Sequence, residues 1–366
     1  MRILSKISIE MVVRKDIVAI SIPFSAGVIT AALLPPGGDV PFGAAAGCCL
    51  AVAALFVLAC RRGGRTVELL LLFWLLGLLC GLSPSLIPPV PPGPSPGVRR
   101  AADALQGAID AAGFPHEETA ELLKALLLGR RDKLSRATEE AFRAAGASHI
   151  LALSGLHLGI LYGILQAVLA CLGRSRGATL LRSALSLAAA GAYLRMTGAS
   201  PSLVRAFLFI CLNETARLLP GRRRDPLNVF CAALTIQLAA SPGVAAQLGF
   251  QLSYLAMLGI TLVFPRLDAW YPPSSRHDPV RGVWSAIALT LSCQLFTAPL
   301  VWIRFHTFPK YFLLTNLGAL PLCEAFIWTS LPVLALGGSC PEGIKNLADT
   351  VGQTLLHFLE GIAAIT

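Results

Sequence analysis

The chain has 366 residues, of which 55% are hydrophobic and only 14% charged, and its formal net charge is +10. A soluble globular protein carries about 25% charged residues, so the polar surface that a soluble enzyme of this length requires is missing. The basic residues lie in short breaks between apolar segments, whereas a soluble nucleic-acid-binding domain gathers them in one patch or tail.

Apolar segments of close to twenty residues recur along the chain, and about twenty helical residues cross the roughly 30 Å hydrocarbon layer of a membrane. They predict an all-α polytopic integral membrane protein with ten transmembrane helices, the first of them an uncleaved span. The amphipathic segment 344–366 is either an eleventh span or a surface helix. The ten predicted spans are 16–35, 41–60, 67–88, 148–172, 178–196, 201–219, 227–241, 244–264, 283–303 and 311–337.

Breaks that contain arginine or lysine alternate with breaks that contain neither. The N-terminus and the breaks after the second, fourth, sixth and eighth spans are basic, whereas the breaks after the first and seventh spans carry no basic residue. Because short cytoplasmic loops are enriched in Lys and Arg, this alternation predicts an N-terminus in the cytoplasm.

Residues 89–147 differ from the rest of the chain. They begin with a Pro-rich linker, and helical patterns follow at 117–129 and 135–145. Eight basic and eight acidic residues fall between Val98 and Ala147, a balance that exerts little pull on topology. We expect two or three amphipathic helices on the outer surface, between an N-terminal three-span region (1–88) and a transmembrane domain (148–366).

The predicted span that begins at Ser148 carries an unusual set of small and polar residues. Gly155, Gly159 and Gly163 recur at four-residue spacing and predict a face for close helix packing. The polar side chains on other sides of this helix are His149, Ser154 and His157.

Three interpretations of these polar groups remain open: hydrogen bonds between helices, the lining of a polar passage, and a Ser154–His157 nucleophile pair. No third group that would orient the imidazole is evident.

Three later places also bring polar groups into apolar segments. Pro201 suits the first turn of a helix that Ser200 caps, with Ser202 in the same turn. Arg205 follows one turn further on and either snorkels to the surface or meets a phosphate or carboxylate with its planar guanidinium. Glu214, deeper in that span, is spaced to pair with Arg217. The others are Gln251 and Ser253, and an irregular, re-entrant segment expected around Gln294, Pro299, Arg304, His306, Pro309 and Asn316.

The sequence lacks the motifs of several enzymatic chemistries. The sequence contains no ATP-binding phosphate loop and no HxHxD or HExxH metal cluster, so we expect no cofactor and no metal. The ten cysteines lie mostly inside apolar segments and form no CxxC pair. They are expected to be buried apolar residues, the alternative being a disulfide that involves Cys80 or Cys340.

Five blocks together resemble the ComEC competence-protein family. They are LLLGRRDKLSRATEEAFRAAGASHI (126–150), SHILALSGLHLGI (148–160), TGASPSLVRA (197–206), Arg224–Asn228 (RDPLN) and GFQLSYLA (249–256). The second is similar to the family's hallmark. The resemblance covers residues 120–335 and implies the inner-membrane channel of bacterial DNA uptake, in a multi-pass protein of the cytoplasmic membrane.

The resemblance has two gaps. Full-length members carry an external OB-like domain and a C-terminal metallo-β-lactamase-like domain, and neither is recognisable here. We expect either a naturally short member or a fragment of a longer protein, and no strand-degrading activity is assigned to this chain.

The leading hypothesis is therefore a non-enzymatic channel for single-stranded DNA during natural transformation. The residues expected to line the pore or bind DNA are His149, Ser154, Gly155, His157, Ser200, Ser202, Arg205, Gln251, Ser253 and Asn316. The expected partners are single-stranded DNA, the lipid bilayer and other DNA-uptake proteins that supply a motor or nuclease, with a homo-oligomer left open. The alternatives are a transporter of small anionic solutes, an intramembrane Ser/His hydrolase and a non-conducting scaffold.

Overall fold

The computed structural model describes residues 2–33, 66–86, 96–151, 155–173, 175–218, 225–272, 278–306 and 310–365. In these ranges every regular element is a helix, and no strand occurs, as the composition predicts. The predicted span 41–60 and the start of the Pro-rich linker lie outside the described residues.

Helices are numbered here in chain order. They are α1 (Arg2–Leu33), α2 (Thr66–Leu86), α3 (Pro96–Ala111), α4 (Glu117–Leu128), α5 (Arg136–Ala144), α6 (Ser148–Leu151), α7 (Gly155–Val168), α8 (Arg176–Met196), α9 (Pro201–Leu218), α10 (Pro226–Ala240), α11 (Leu248–Leu262), α12 (Phe264–Asp268), α13 (Pro279–Phe305), α14 (Phe312–Leu336) and α15 (Glu342–Ala363). Short 3₁₀ turns follow α7, α10 and α14.

Within the described residues, two helical segments are long and apolar enough to cross a membrane, judged by length and composition. They are Pro279–Phe305 and Phe312–Ser339, with mean hydropathies of 1.7 and 1.6, and they coincide with the last two predicted spans. Shorter apolar helices occupy the predicted spans at Ile17–Ala32, Leu70–Leu82, His157–Leu172, Pro226–Ala240 and Leu248–Leu262. Helices α8 and α9 also form where spans were predicted, but they are less apolar. The number of spans stays a prediction.

The helices group into two compact units. Unit one comprises Met1–Pro92 and Leu208–Thr261, and unit two comprises Gly93–Phe207 and Leu262–Thr366. Both units are discontinuous in sequence, and the three consecutive segments expected from the sequence stay a prediction.

Unit one depends on a close approach of α1 and α2. A Cβ atom at Gly27 would collide with the Trp74 carbonyl oxygen, and one at Gly77 would collide with the carbonyl oxygen of Phe24. Gly81, one turn beyond Gly77, faces Ala31 in the same way. The sequence Gly77-Leu-Leu-Cys-Gly81 is thus a small-residue packing motif that the sequence analysis missed.

Side-chain hydrogen bonds join α1 to α10 in the same unit. The Ser21 hydroxyl donates to the Cys231 carbonyl oxygen at 3.2 Å, and Thr235 donates to Ser21 at 2.7 Å. Within the described residues neither Cys80 nor Cys340 forms a disulfide, so the disulfide alternative gains no support.

Unit two has the larger core of buried apolar residues, and α4 lies at its centre. Leu122, Leu123 and Leu126 are fully buried with residues of α14 and α15 such as Phe326 and Leu355. The patterns at 117–129 and 135–145 are confirmed as helices, and Gly129 ends α4 in the left-handed conformation. The residues of α4 are buried almost throughout, and the placement of this segment on the outer surface of the membrane stays a prediction.

Segment 344–366 forms the amphipathic helix α15, with one face buried against α14 and α4. Asp349 on that face accepts hydrogen bonds from the His116 backbone N–H at 3.2 Å and the Thr119 hydroxyl at 2.6 Å. The carboxylate therefore satisfies donors at the N-terminus of α4 that would otherwise lack helical partners.

We expect Asp349→Ala to destabilise unit two by about 2 kcal/mol, because it leaves buried donors without an acceptor. Asp349→Asn keeps an acceptor oxygen and should cost less. Thermal unfolding of the purified chain in detergent measures both variants, with Asn346→Ala on the exposed side of α15 as the control. Equal loss in the control variant would contradict this role.

An ion cluster with a buried lysine joins α3 to α4. The Lys124 ammonium pairs with Asp110 and, at 2.7 Å, with Glu121, and Lys124 is only 3% exposed. Burial lowers the pKa of Lys124, but the hydrogen bonds and charges of the two carboxylates more than offset it, so the pKa lies above its usual value.

Because the folded-state pKa of Lys124 is raised, its contribution is complete below the unfolded-state pKa of about 10.4 and is lost as the pH rises through the folded-state pKa. We expect Lys124→Met to lower the free energy of unfolding by about 3 kcal/mol near neutral pH. The gap to the wild type should narrow above about pH 10.4. Unfolding temperatures across this range, with the exposed Lys133→Met as control, measure the effect. A gap independent of pH would count against the ion cluster.

Candidate functional site

The signature segment begins on a sharp turn after α5. Gly146 has φ 72°, and the Ala147 N–H donates to the Phe142 carbonyl oxygen at 2.7 Å. The short helix α6 follows, then residues 152–154, and α7 begins at Gly155. Ser154 lies outside the described residues, so its pairing with His157 stays a prediction.

A second turn joins α8 to α9. Gly198 and Ala199 both adopt positive φ, at 80° and 50°, a conformation that side chains other than glycine adopt at a cost. Ser200 then caps α9, since the Leu203 N–H lies 3.4 Å from its hydroxyl oxygen, and Pro201 opens the helix. The predicted cap is confirmed.

This turn directs the first residues of α9 towards α7. A Cβ atom at Gly155 would lie 2.9 Å from the Ala206 Cβ and 3.6 Å from Arg205 Nη2. Only glycine allows this approach without a displacement of the residues on α9. The Arg205 guanidinium lies against the start of α7.

Residues of α7 and α9 therefore come together beside the Arg205 guanidinium. Such a group can bind a phosphate or a carboxylate through two parallel hydrogen bonds.

His157 lies at a different contact. Its side chain is fully buried, and its Nε2 lies 3.9 Å from Cys323 Sγ on α14. His149 is exposed in the isolated chain, and its Nδ1 lies 3.2 Å from the Gly146 carbonyl oxygen. Asn316 is half-buried on α14, next to Thr315, whose hydroxyl donates to the Ala145 carbonyl oxygen at 2.8 Å.

The expected glycine face is confirmed only at Gly155. Cβ atoms at Gly159 and Gly163 would meet nothing within 4 Å. The periodicity correctly placed three glycines on one face of α7. Among the described residues, however, another helix approaches this face closely at Gly155 and not at Gly159 or Gly163.

The remaining predicted residues have local roles where the structure describes them. Gln251 donates to the Ala245 carbonyl oxygen at 2.8 Å and so ties α11 to the turn before it. Ser202 and Ser253 are half-buried. Glu214 pairs with Arg217 at 2.7 Å, which confirms the predicted pairing.

Two tyrosines are buried and donate hydrogen bonds to other helices. The Tyr193 hydroxyl donates to the Leu127 carbonyl oxygen at 2.8 Å and joins α8 to α4. In unit one, Tyr254 donates to Gln237 at 2.9 Å and packs against Phe230 and Phe250.

The irregular segment expected from Gln294 onwards is not seen as far as Phe305, because helix α13 runs without interruption through Pro299. His306 caps its C-terminus with φ 51°. Residues 307–309, with the second proline, lie outside the described residues.

The chain belongs to the competence protein family, because the model of that family matches residues 126–366. The match begins within α4, so it includes α5 and the loop before it as well as the signature. This family assignment confirms the resemblance seen in the five sequence blocks.

Two relatives are similar to this chain, and each match covers only part of the relative's own length. The ComE operon protein 3 of Bacillus subtilis (strain 168) is 29% identical over 190 residues, 51% of this chain and 22% of that protein. The competence protein ComA of Neisseria gonorrhoeae is 27% identical over 277 residues, 73% of this chain and 36% of that protein. No solved structure matches the chain.

The contact at Gly155 generates a test that does not depend on function. We expect Gly155→Ala to destabilise the chain by about 1–2 kcal/mol, because its methyl group overpacks the contact with Ala206. Gly159→Ala on the same helix should be neutral or stabilising by about 0.5–1 kcal/mol, since alanine is the better helix former and space is free. Thermal unfolding of both variants measures the difference. Equal effects would contradict the close approach of α7 and α9.

Proposed function

We propose that this chain forms a channel that passes single-stranded DNA across the bacterial cytoplasmic membrane during natural transformation. The proposal is carried by one observation: in a member of the competence protein family, the Arg205 guanidinium lies against Gly155 of the signature.

The physical demand on such a channel is a hydrated, cationic path. The phosphates of a polyanion cannot be stripped of water at low cost, so donors must replace part of their hydration. Arg205 supplies a fixed positive charge beside the start of α7. His149, Ser154, His157, Ser202 and Asn316 are proposed as further lining groups of the same unit.

We propose a multi-pass arrangement with the N-terminus in the cytoplasm. Helix α13 supports it: Trp284 and Trp302 are separated by about 27 Å of helix, close to the hydrocarbon thickness, and tryptophan favours both membrane interfaces. Only 17% of the most apolar window of this helix is buried by the described chain, so an apolar solvent such as lipid is left to cover the rest.

Transport by this chain would need work supplied from elsewhere, because the sequence has no ATP-binding phosphate loop. We propose that another uptake protein pulls or traps the strand on the cytoplasmic side. In this proposal the chain itself breaks no bond.

Deletion of the gene should abolish transformation while DNA binding at the cell surface remains. Transformation frequency and surface-bound labelled DNA are measured in the same culture, and a plasmid-borne copy of the gene should restore transformation. Normal uptake in the deletion strain would refute the channel.

Arg205→Gln should lower transformation by about tenfold or more, since one charge-assisted contact to phosphate is worth about 1.5–3 kcal/mol. Arg205→Lys keeps the charge but loses the planar guanidinium and should fall between the two. Arg176→Gln, at the exposed start of α8, is the control. Immunoblots of membranes establish equal protein levels.

Two results would contradict the role of Arg205 in this experiment: unchanged transformation in Arg205→Gln, or an equal loss in Arg176→Gln. Uptake of labelled inorganic phosphate into vesicles that carry the chain, with no uptake of labelled oligonucleotide, would point instead to a small-anion transporter.

A further inference from the structure

A groove opens in unit two immediately before the signature segment. Its volume is about 450 Å³, within the range of about 300–1,000 Å³ that ligand sites occupy. Helix α5 contributes Arg136, Glu139, Glu140 and Arg143, and the loop before α5 contributes Arg131. Ser148 and Leu151 of α6 complete the lining, so the groove ends on the first turn of the signature.

Arg131 connects this groove to the signature. Its Nη2 donates to the Leu151 carbonyl oxygen at 2.6 Å, at the end of α6, where carbonyl groups lack helical partners. A guanidinium carries five N–H donors, so a second edge of Arg131 can hold an anion while the first holds Leu151. The preceding Arg130 differs, because it pairs with Asp103 at 2.8 Å and bonds Gln106.

The two arginines of α5 are suited to an extended ligand. Arg136 and Arg143 are exposed and stand two turns apart, about 10 Å along the helix axis. A nucleic-acid strand carries one charge on each phosphate, so two arginines at this spacing can contact different phosphates of one strand. Glu139 and Glu140 lie between the arginines at helical neighbour positions, which keeps the net charge of the groove low.

We infer that this groove binds the phosphates of a single DNA strand and guides the strand to the signature segment. The inference rests on the proposed channel function and adds the place where the strand is received. Arg131 then holds both the strand and the Leu151 carbonyl group, so the bound strand lies beside the residues that lead to Gly155.

The charge pattern favours a DNA strand over an anionic lipid surface. Attraction to a leaflet depends on the net charge that a segment brings near it, about 1 kcal/mol per basic residue. Three arginines and two glutamates bring little net charge. Bidentate guanidinium–phosphate bonds depend instead on local geometry, which separated arginines retain.

The test uses the full chain in nanodiscs of zwitterionic lipid and a fluorescent thymidine oligonucleotide, with binding followed by anisotropy over a series of salt concentrations. The double variant Arg136→Gln/Arg143→Gln should bind about tenfold or more weakly. Its slope of log affinity against log salt should be shallower by about 1.4, because two phosphate contacts are lost. Glu139→Gln/Glu140→Gln should bind more tightly.

The matched control is Arg99→Gln/Arg100→Gln, which removes the same charge from exposed positions on α3 and should leave the affinity unchanged. Equal weakening in both double variants would mean non-specific attraction and would overturn the inference. A second result would also overturn the inference: the arginines of α5 strengthen binding to nanodiscs of anionic lipid but do not strengthen binding of the oligonucleotide. Binding is measured without transport, so normal transformation in the deletion strain would refute the channel separately from the groove.

Discussion

The contact between Gly155 and Ala206 determines where the Arg205 guanidinium lies. Because a glycine faces α9 there, Ala206 lies close to the backbone of α7, and the Arg205 guanidinium lies near the start of α7. The left-handed turn at Gly198 and Ala199 sets the direction in which α9 leaves α8. Two separate sequence blocks of the family, 148–160 and 197–206, thus meet in one place.

Much of the local structure follows from the sequence. Ser200 and Pro201 mark a helix start through chemistry that needs no tertiary information, and the leucine spacing in 117–129 defines a helix with one strongly apolar side. The Ser135 cap and the Gly129 stop of these helices are equally local. Such signals depend on residues a few positions apart, which is why they can be read along the chain.

Tertiary contacts between helices do not follow from these local sequence patterns. Periodicity placed Gly155, Gly159 and Gly163 on one face, yet only Gly155 meets another helix. Gln251 looked like a lining group, but a turn six residues before it takes its amide donor. Polar residues in apolar helices must find partners, and one sequence does not reveal whether the partner is a nearby carbonyl group, another helix or a ligand. The Gly77–Gly81 spacing carried a packing signal that could have been recognised.

The way Asp349 completes the N-terminus of α4 has a consequence for biosynthesis. The acceptor and the donors that it satisfies are separated by more than two hundred positions in the chain, and chains emerge from the ribosome at about 5–20 residues per second. Helix α4 is therefore made well before the side chain that caps it, and for ten seconds or more it must rely on water or other contacts. Contacts between such distant residues form late in folding. Helix α15 therefore packs onto α4 only after most of unit two has been synthesised.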